Sequence, residues 1–167
     1  KLWNTEHARE DVESACRRTL SDLQLEYLDL YLMHWGIAVP NIVPENPNQR
    51  GEPLDDHGVM LTKNISIRET WEAMEQLVAK GLVKAIGVAN FTGAMLVDLL
   101  SYARVKPVVN QIELHPYNQQ TRMIDFCQYK DIAVTAYSPL GSPGNMKERT
   151  GEPILLDDKI IITIARH

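Results

Sequence analysis

Four side chains that could bind or orient a small molecule stand at the ends of four apolar runs in this chain. They are His34, Asn90, Gln111 and Tyr137, and the runs cover residues 28–33, 85–89, 107–110 and 132–136. A neutral imidazole can donate a hydrogen bond to a carbonyl oxygen and so orient it. Primary amides donate and accept together, which suits another carboxamide, and a tyrosine ring offers a flat face for stacking.

The turn that follows Tyr137 could approach a phosphate group. Its residues are Ser138, Pro139, Leu140, Gly141 and Ser142. Small residues in a turn let the backbone N–H groups come close to an anionic ligand. A plain surface turn has the same composition, so this segment stays open between the two interpretations.

Each of the four side chains, taken alone, also has an ordinary structural explanation. A histidine at a strand end is more often structural than catalytic, and strand-end amides commonly satisfy the backbone of a loop. A tyrosine at such a position often only packs. The case for a site therefore depends on whether the elements bring these groups together.

The apolar runs alternate with segments of helical period, which predicts a parallel α/β sheet. In such folds the chemistry sits at the carboxyl ends of the strands. Ser66 and Glu69 form a capping box and Gly81 stands at a helix end, so a helix is predicted between them. The other helices are expected over about 15 residues from Ala8, from Thr92, over about 118–130 and from about Asp157.

The spacing of the last three strands is about 25 residues per βα unit, as in a (β/α)8 barrel of about 250 residues. Residues 1–167 are therefore interpreted as a single domain, the central portion of a TIM barrel with about four complete βα units. Its N- and C-terminal barrel segments are expected to be missing, and Lys1 reads as the last residue of a strand. Residues 36–65 show no period and carry four prolines, which predicts one long βα loop.

Charge and composition exclude several classes of function. The net charge is −5 with no basic cluster, which argues against nucleic acid and membrane surfaces as partners. No run is long enough to span a bilayer, and no metal-ligand spacing, Rossmann glycine motif or P-loop occurs. Cys16 and Cys127 fall on apolar helix stripes and are expected to be core thiols of a cytoplasmic protein.

Five motifs stand in an order and at a spacing that resemble the aldo-keto reductase family, in its aldose and aldehyde reductase branch. They are KLW at 1–3, LYLMHW at 30–35, GVANF at 87–91, VNQIELHPY at 109–117 and AYSPLG at 136–141. The resemblance implies a (β/α)8 barrel that binds NADP(H) without a Rossmann domain. It also implies hydride transfer from nicotinamide C4 to the carbonyl of an aldehyde or aldose.

The resemblance further implies a role for each matching residue. Lys1 would lower the pKa of the proton-donating tyrosine, and His34 would orient the substrate carbonyl. The substrate pocket would be lined by Trp3, His34 and Trp35. The cofactor would be held by Asn90, Gln111, Tyr137, Ser138, Pro139, Leu140, Gly141 and Ser142.

The chain also departs from the family pattern. The general-acid tyrosine and its aspartate would precede Lys1, and the segment that grips the adenosine 2′-phosphate would follow His167. Ala89 replaces a serine and Gly144 an aspartate of many members. These residues alone are therefore expected to be inactive, and a non-catalytic nicotinamide-binding or interaction protein remains the alternative. The substrate, the preference for NADP over NAD and the oligomeric state, monomer or weak oligomer, stay open.

Overall fold

The structure, a computed structural model, describes residues 1–41, 53–142 and 154–166 of the 167-residue chain. The middle of the predicted 36–65 loop and Gly144 lie outside the described residues. No helix in the described part is long and apolar enough to cross a membrane.

Strands and helices alternate along the chain, as predicted. The elements are α1 (Arg9–Leu23), β1 (Leu28–Met33), α2 (Ile67–Ala79), β2 (Val83–Ala89), α3 (Gly93–Tyr102), β3 (Val109–Glu113), α4 (Thr121–Tyr129), β4 (Ala133–Tyr137) and α5 (Lys159–Ala165), with 3₁₀ turns at Asn4–Glu6 and Leu155–Asp157. The sheet has the order β1-β2-β3-β4. Strands β1 and β2 pair in parallel, with Leu32 opposite Gly87 and Met33 opposite Val88.

The chain forms two compact units, Lys1–Asn110 and Gln111–His167, which we call the first and the second unit. Strand β3 begins in the first unit and ends in the second. The assignment of residues 1–167 to a single domain stays a prediction.

The helix ends follow the capping signals of the sequence. Ser66 Oγ accepts a hydrogen bond from the Glu69 backbone N–H at 3.1 Å, which confirms the predicted start of α2. Gly81 follows the last residues of that helix with a φ of +71°, a conformation that a side chain would strain. Thr92 caps α3 in the same way, through Met95 N at 3.3 Å.

The core of the first unit lies where α1 and α2 pack on the sheet. Trp71, Met74 and Leu77 of α2 are at most 1% exposed. The helical spacing of Trp71, Met74 and Val78 predicts one buried stripe, but Val78 is only half-buried. Helix α2 contacts α1 and α3 as well as β2, so its buried face is wider than one stripe and Leu77 takes the central position.

Glu75 is a buried carboxylate in the middle of α2, 6% exposed. One of its oxygens accepts the backbone N–H groups of Arg104 and Val105, at 2.7 and 2.9 Å. Trp71, one turn earlier, donates its indole N–H to the Val105 carbonyl at 3.0 Å. Two side chains of α2 therefore hold the segment that leads from α3 into β3.

No disulfide joins Cys16 and Cys127, and both side chains are buried. This confirms their prediction as core thiols.

Candidate active site

In the first unit, residues 1–3 extend the sheet beside the carboxyl end of β1. Leu2 N–H donates to the Leu32 carbonyl at 2.8 Å, and His34 N–H donates to the Leu2 carbonyl at 3.1 Å. Leu2 thus forms a parallel bridge with Met33. The prediction that a strand ends at Lys1 falls one residue short, because Leu2 is the residue that pairs with Met33. The bridge places residues 1–3 next to His34.

The His34 ring lies against two indole rings. Trp3 meets it edge-on, with ring centroids 4.9 Å apart and an interplanar angle of 74°. Trp35 stacks at 6.5 Å and 15°. Trp3 and Trp35 keep 43% and 39% of their surface exposed. The imidazole is therefore flanked by apolar surface that remains open to a small molecule.

The electrostatics favour an uncharged imidazole at this position. Burial, and after it the positive charge of Lys1, lower the pKa of His34. At neutral pH His34 is therefore a neutral hydrogen-bond donor or acceptor. Partial burial also lowers the pKa of the Lys1 ammonium. A desolvated cation of this kind stabilises an anion beside it, which is how it would depress the pKa of a phenol.

Asn90 follows the last residue of β2 in a left-handed conformation, φ +60°. Its side-chain Nδ2 donates to the His34 backbone carbonyl at 2.9 Å and so ties the end of β2 to the end of β1. Asn90 thus satisfies a backbone carbonyl, which is the structural role that the sequence left open for a strand-end amide. The second N–H and the Oδ1 of the same amide are the groups that could meet a ligand carboxamide.

Asn110 is a positioning residue that the sequence reasoning missed. Its side chain is fully buried and brackets Phe91, with Nδ2 donating to the Phe91 carbonyl at 3.0 Å and Oδ1 accepting the Phe91 N–H at 3.4 Å. This pair of bonds holds the chain directly after Asn90. The available signal was an amide inside an apolar run, since a buried polar group needs a partner.

Gly36 was also missed. A Cβ there would lie 2.1 Å from Met95 Cε and 3.2 Å from Phe91 Cε2. Only a glycine lets the chain after Trp35 pass this close to α3 without moving the Met95 side chain.

In the second unit, Gln111 is the third of five residues of β3, so its prediction as a strand-end residue is wrong. The ladder continues past it, because Leu114 N–H still donates to the Tyr137 carbonyl at 3.3 Å. Gln111 remains half-buried within the strand. The apolar run in the sequence stops at Asn110 only because the next residues alternate between the two faces of the sheet.

Tyr137 is the last residue of β4, as predicted, and is half-buried. Burial, and after it the negative charge of Glu113, raise the pKa of its phenol. The ring therefore stays neutral over the physiological range, as a stacking surface requires.

The turn after Tyr137 has an unusual backbone. Ser138, Gly141 and Ser142 have φ values of +48°, +74° and +50°. Gly141 N–H donates to the Ser138 carbonyl at 2.8 Å, and the two serine hydroxyls are 2.5 Å apart. Left-handed residues in a turn are the geometry from which anion-binding backbone nests are built. The turn therefore shares this left-handed backbone with such nests, and its role as a phosphate-binding segment stays a prediction.

No group of three or more potential metal ligands occurs among residues 1–41, 53–142 and 154–166.

Polar and aromatic side chains near the carboxyl ends of parallel strands are typical of (β/α)8 barrel proteins, whose ligands bind at that edge. The chain belongs to the aldo/keto reductase family, whose sequence model matches residues 1–159. This confirms the family predicted from the five motifs. It is 49% identical over 165 residues to aldo-keto reductase family 1 member A1 of Cricetulus griseus, covering 99% of this chain and 49% of that protein.

Two solved structures are similar to the chain. The aldose reductase of Giardia lamblia matches 85% of this chain and 45% of its own, with a TM-score of 0.77 and 46% identity. The aldose reductase of Schistosoma japonicum matches 99% of this chain and 49% of its own, with a TM-score of 0.83 and 34% identity. These similarities confirm the predicted fold class, part of a (β/α)8 barrel. The chain spans about half the length of the relatives that it matches.

Proposed function

We propose that the protein containing these residues is an NADP(H)-dependent oxidoreductase that reduces the carbonyl of aldehydes and aldoses to alcohols. The observation that carries this proposal is the His34 ring, uncharged and flanked by Trp3 and Trp35 beside Lys1. Membership of the aldo/keto reductase family supports the reaction class. The similar structures of aldose reductases support a small aldehyde or sugar as the substrate.

In this proposal the residues of the first unit handle the substrate carbonyl. His34 donates a hydrogen bond to the carbonyl oxygen and fixes its direction, which a neutral imidazole can do through its ring N–H. Trp3 and Trp35 form apolar walls that exclude water from the carbonyl carbon. Lys1 stabilises the anionic form of a phenol, so that the phenol can donate its proton and recover it.

The cofactor is NADP(H), which supplies hydride from its nicotinamide C4 when bound. The fit of the residues supports this choice. Asn90 of the first unit has a carbonyl oxygen and one N–H that suit a carboxamide. The resemblance assigns Gln111 and Tyr137 of the second unit to the same cofactor. The left-handed turn formed by Ser138, Pro139, Leu140, Gly141 and Ser142 suits the pyrophosphate.

We further propose that the protein is cytoplasmic and acts as a monomer or weak oligomer. The buried cysteines without a disulfide agree with a reducing compartment. The negative charge is consistent with a small-molecule partner and with no nucleic acid.

The test compares the full-length protein with its His34→Gln variant, following the loss of NADPH absorbance with a panel of small aldehydes and aldoses. We expect kcat/KM to fall by about 10²–10³-fold, the usual effect of removing one preorganised donor. His57→Gln is the matched control, because His57 is exposed and this substitution should leave kcat/KM unchanged.

Unchanged kcat/KM in His34→Gln would contradict the role of His34. Tight NADPH binding with no turnover of any aldehyde by the unmodified protein would instead support the alternative, a non-catalytic nicotinamide-binding protein.

A further inference from the structure

We propose that Tyr117 is a positioning residue for the cofactor. Its hydrogen bond to Asp158 holds Leu155 against Gly141 and so keeps the 138–142 turn in its phosphate-accepting form. This inference rests on the proposed function, because the 138–142 turn is the segment assigned to the pyrophosphate.

The first link is a short hydrogen bond. Tyr117 Oη donates to Asp158 Oδ2 at 2.6 Å. A hydroxyl–carboxylate pair at this distance is charge-assisted and stronger than a bond between neutral groups. The bond lowers the pKa of Asp158 and raises the pKa of Tyr117, so both partners keep the protonation states that the bond requires at neutral pH.

The second link is the other oxygen of the same carboxylate. Asp158 Oδ1 accepts the backbone N–H groups of Ile160 and Ile161 at 2.8 and 3.0 Å. Asp158 therefore caps α5 with one oxygen and binds Tyr117 with the other. The start of α5, together with the Leu155–Asp157 turn before it, is fixed in position by the Tyr117 ring.

The third link joins this turn to the candidate phosphate site. Leu155 is 5% exposed, and a Cβ placed on Gly141 would lie 3.2 Å from Leu155 Cβ. The two segments are thus in direct contact at the residue of the turn with the largest positive φ. A shift of Leu155 would remove the support on which the Gly141 backbone rests.

Hydrogen bonds also hold the backbone around Tyr117. Tyr117 lies in a tight turn after β3, in which His115 and Asn118 exchange backbone hydrogen bonds at 3.2 and 2.8 Å. Asn118 Nδ2 also donates to the Glu113 carbonyl at 3.2 Å. The Tyr117 backbone is therefore held at the carboxyl end of β3, and its 46% exposed ring reaches Asp158 from there.

The experiment uses the full-length protein and its Tyr117→Phe variant, which keeps the ring and removes only the hydroxyl. The dissociation constant of NADPH is measured by quenching of protein fluorescence. We expect it to rise by about three- to tenfold, the loss of one partly exposed hydrogen bond to a carboxylate. The kcat at saturating NADPH should stay within about twofold, because Tyr117 touches no reacting atom. Tyr129→Phe is the matched control, since Tyr129 is 80% exposed.

A second measurement follows the stability of the 138–142 turn itself. Hydrogen exchange of the Gly141 amide, which donates to Ser138, should be faster in Tyr117→Phe than in the control. In an Asp158→Ala background the Tyr117→Phe change should add nothing to either readout, since both residues act through one bond.

An NADPH dissociation constant equal to that of the unmodified protein, in an enzyme that still reduces aldehydes, would overturn the role of Tyr117 and leave the proposed function intact. Absence of both NADPH binding and turnover in the unmodified protein would overturn the proposed function, and the role of Tyr117 with it.

Discussion

His7, at the end of the Asn4–Glu6 turn, is a titratable side chain held inside the first unit. It is 2% exposed, and no described residue bonds its Nε2. Burial lowers its pKa to about 4. Its backbone carbonyl accepts the Thr70 hydroxyl at 2.8 Å, which holds the His7 backbone against α2.

This burial predicts loss of stability in mild acid. The unfolded His7 has a pKa near 6.5, so between pH 6.5 and 4 the unfolded state binds more protons than the folded state. The contribution of His7 is complete above about pH 6.5 and is lost as the pH falls towards 4. From pH 7 to pH 5 the free energy of unfolding should drop by about 2 kcal/mol.

Urea unfolding at the two pH values measures this change. In His7→Leu, the free energy of unfolding should fall between pH 7 and pH 5 by about 2 kcal/mol less than in the unmodified protein. In His57→Gln, whose side chain is exposed, it should fall as much as in the unmodified protein. An identical pH dependence in His7→Leu and the unmodified protein would rule the prediction out.

At this scale the sequence identified the residues that belong to recognisable motifs and missed those that act through packing. His34, Trp3 and Tyr137 are weak signals singly and become informative through the motifs in which they stand. Gly36 shows its purpose only once Met95 lies beside it. Gln111 was misplaced because the end of an apolar run is not the end of a hydrogen-bonded ladder.

Among the elements, α2 shows how a helix can position a neighbour through a buried charge. Glu75→Ala would leave the backbone N–H groups of Arg104 and Val105 without their acceptor. We expect a loss of about 2–4 kcal/mol in the free energy of unfolding, since each unpaired group costs about 1–3 kcal/mol. Glu75→Gln keeps one acceptor oxygen and should lose less.

Glu72→Ala is the control for this prediction, measured by the same denaturant titration. Glu72 lies on the same helix, but its partners Arg9 and Arg68 are largely exposed, so a much smaller change is expected. Equal losses of unfolding free energy in Glu75→Ala and Glu72→Ala would show that the buried hydrogen bonds of Glu75 stabilise the fold no more than the exposed ion pairs of Glu72.

Helix starts with a side-chain cap could be predicted from local sequence, because the signal and its effect lie within four residues. Ser66 and Thr92 are such cases. Helix α4 begins at Thr121, later than its predicted start at about 118, since the His115–Asn118 turn and a left-handed Gln120 precede it. A buried Glu75 could not be foreseen, because a glutamate in mid-helix normally faces solvent.

At the scale of the whole molecule, the alternation of strands and helices was sufficient to predict the fold class. The division into two compact units at Asn110 was not foreseen, since no change in composition marks it. The second unit also leaves Ile160 and Ile164 of α5 72% and 69% exposed. Apolar side chains at i and i+4 lie on one face of a helix, and such a face normally packs on another element. No sequence pattern in these residues identifies the element that would pack on Ile160 and Ile164.

A polypeptide of these 167 residues alone is expected to reduce aldehydes at least about 10²-fold more slowly than a protein of the relatives' full length. The chain spans about half the length of its relatives, and the resemblance matches no tyrosine of residues 1–167 to the general acid. General-acid catalysis contributes about 10²–10⁴-fold. Parallel assays of NADPH oxidation with the two proteins, at equal concentration, measure the ratio. Equal rates would show that another group in this chain delivers the proton.

The hydrogen bond between Asn90 and the His34 carbonyl has a stereochemical consequence. With one N–H committed at 2.9 Å, the Asn90 amide cannot rotate by half a turn, so its Oδ1 points in one direction only. A carboxamide that pairs with this fixed amide must bring an N–H to Oδ1 and its carbonyl oxygen to the remaining N–H. In the proposed enzyme, the direction of the cofactor carboxamide would thus be set by a backbone carbonyl that does not touch the cofactor.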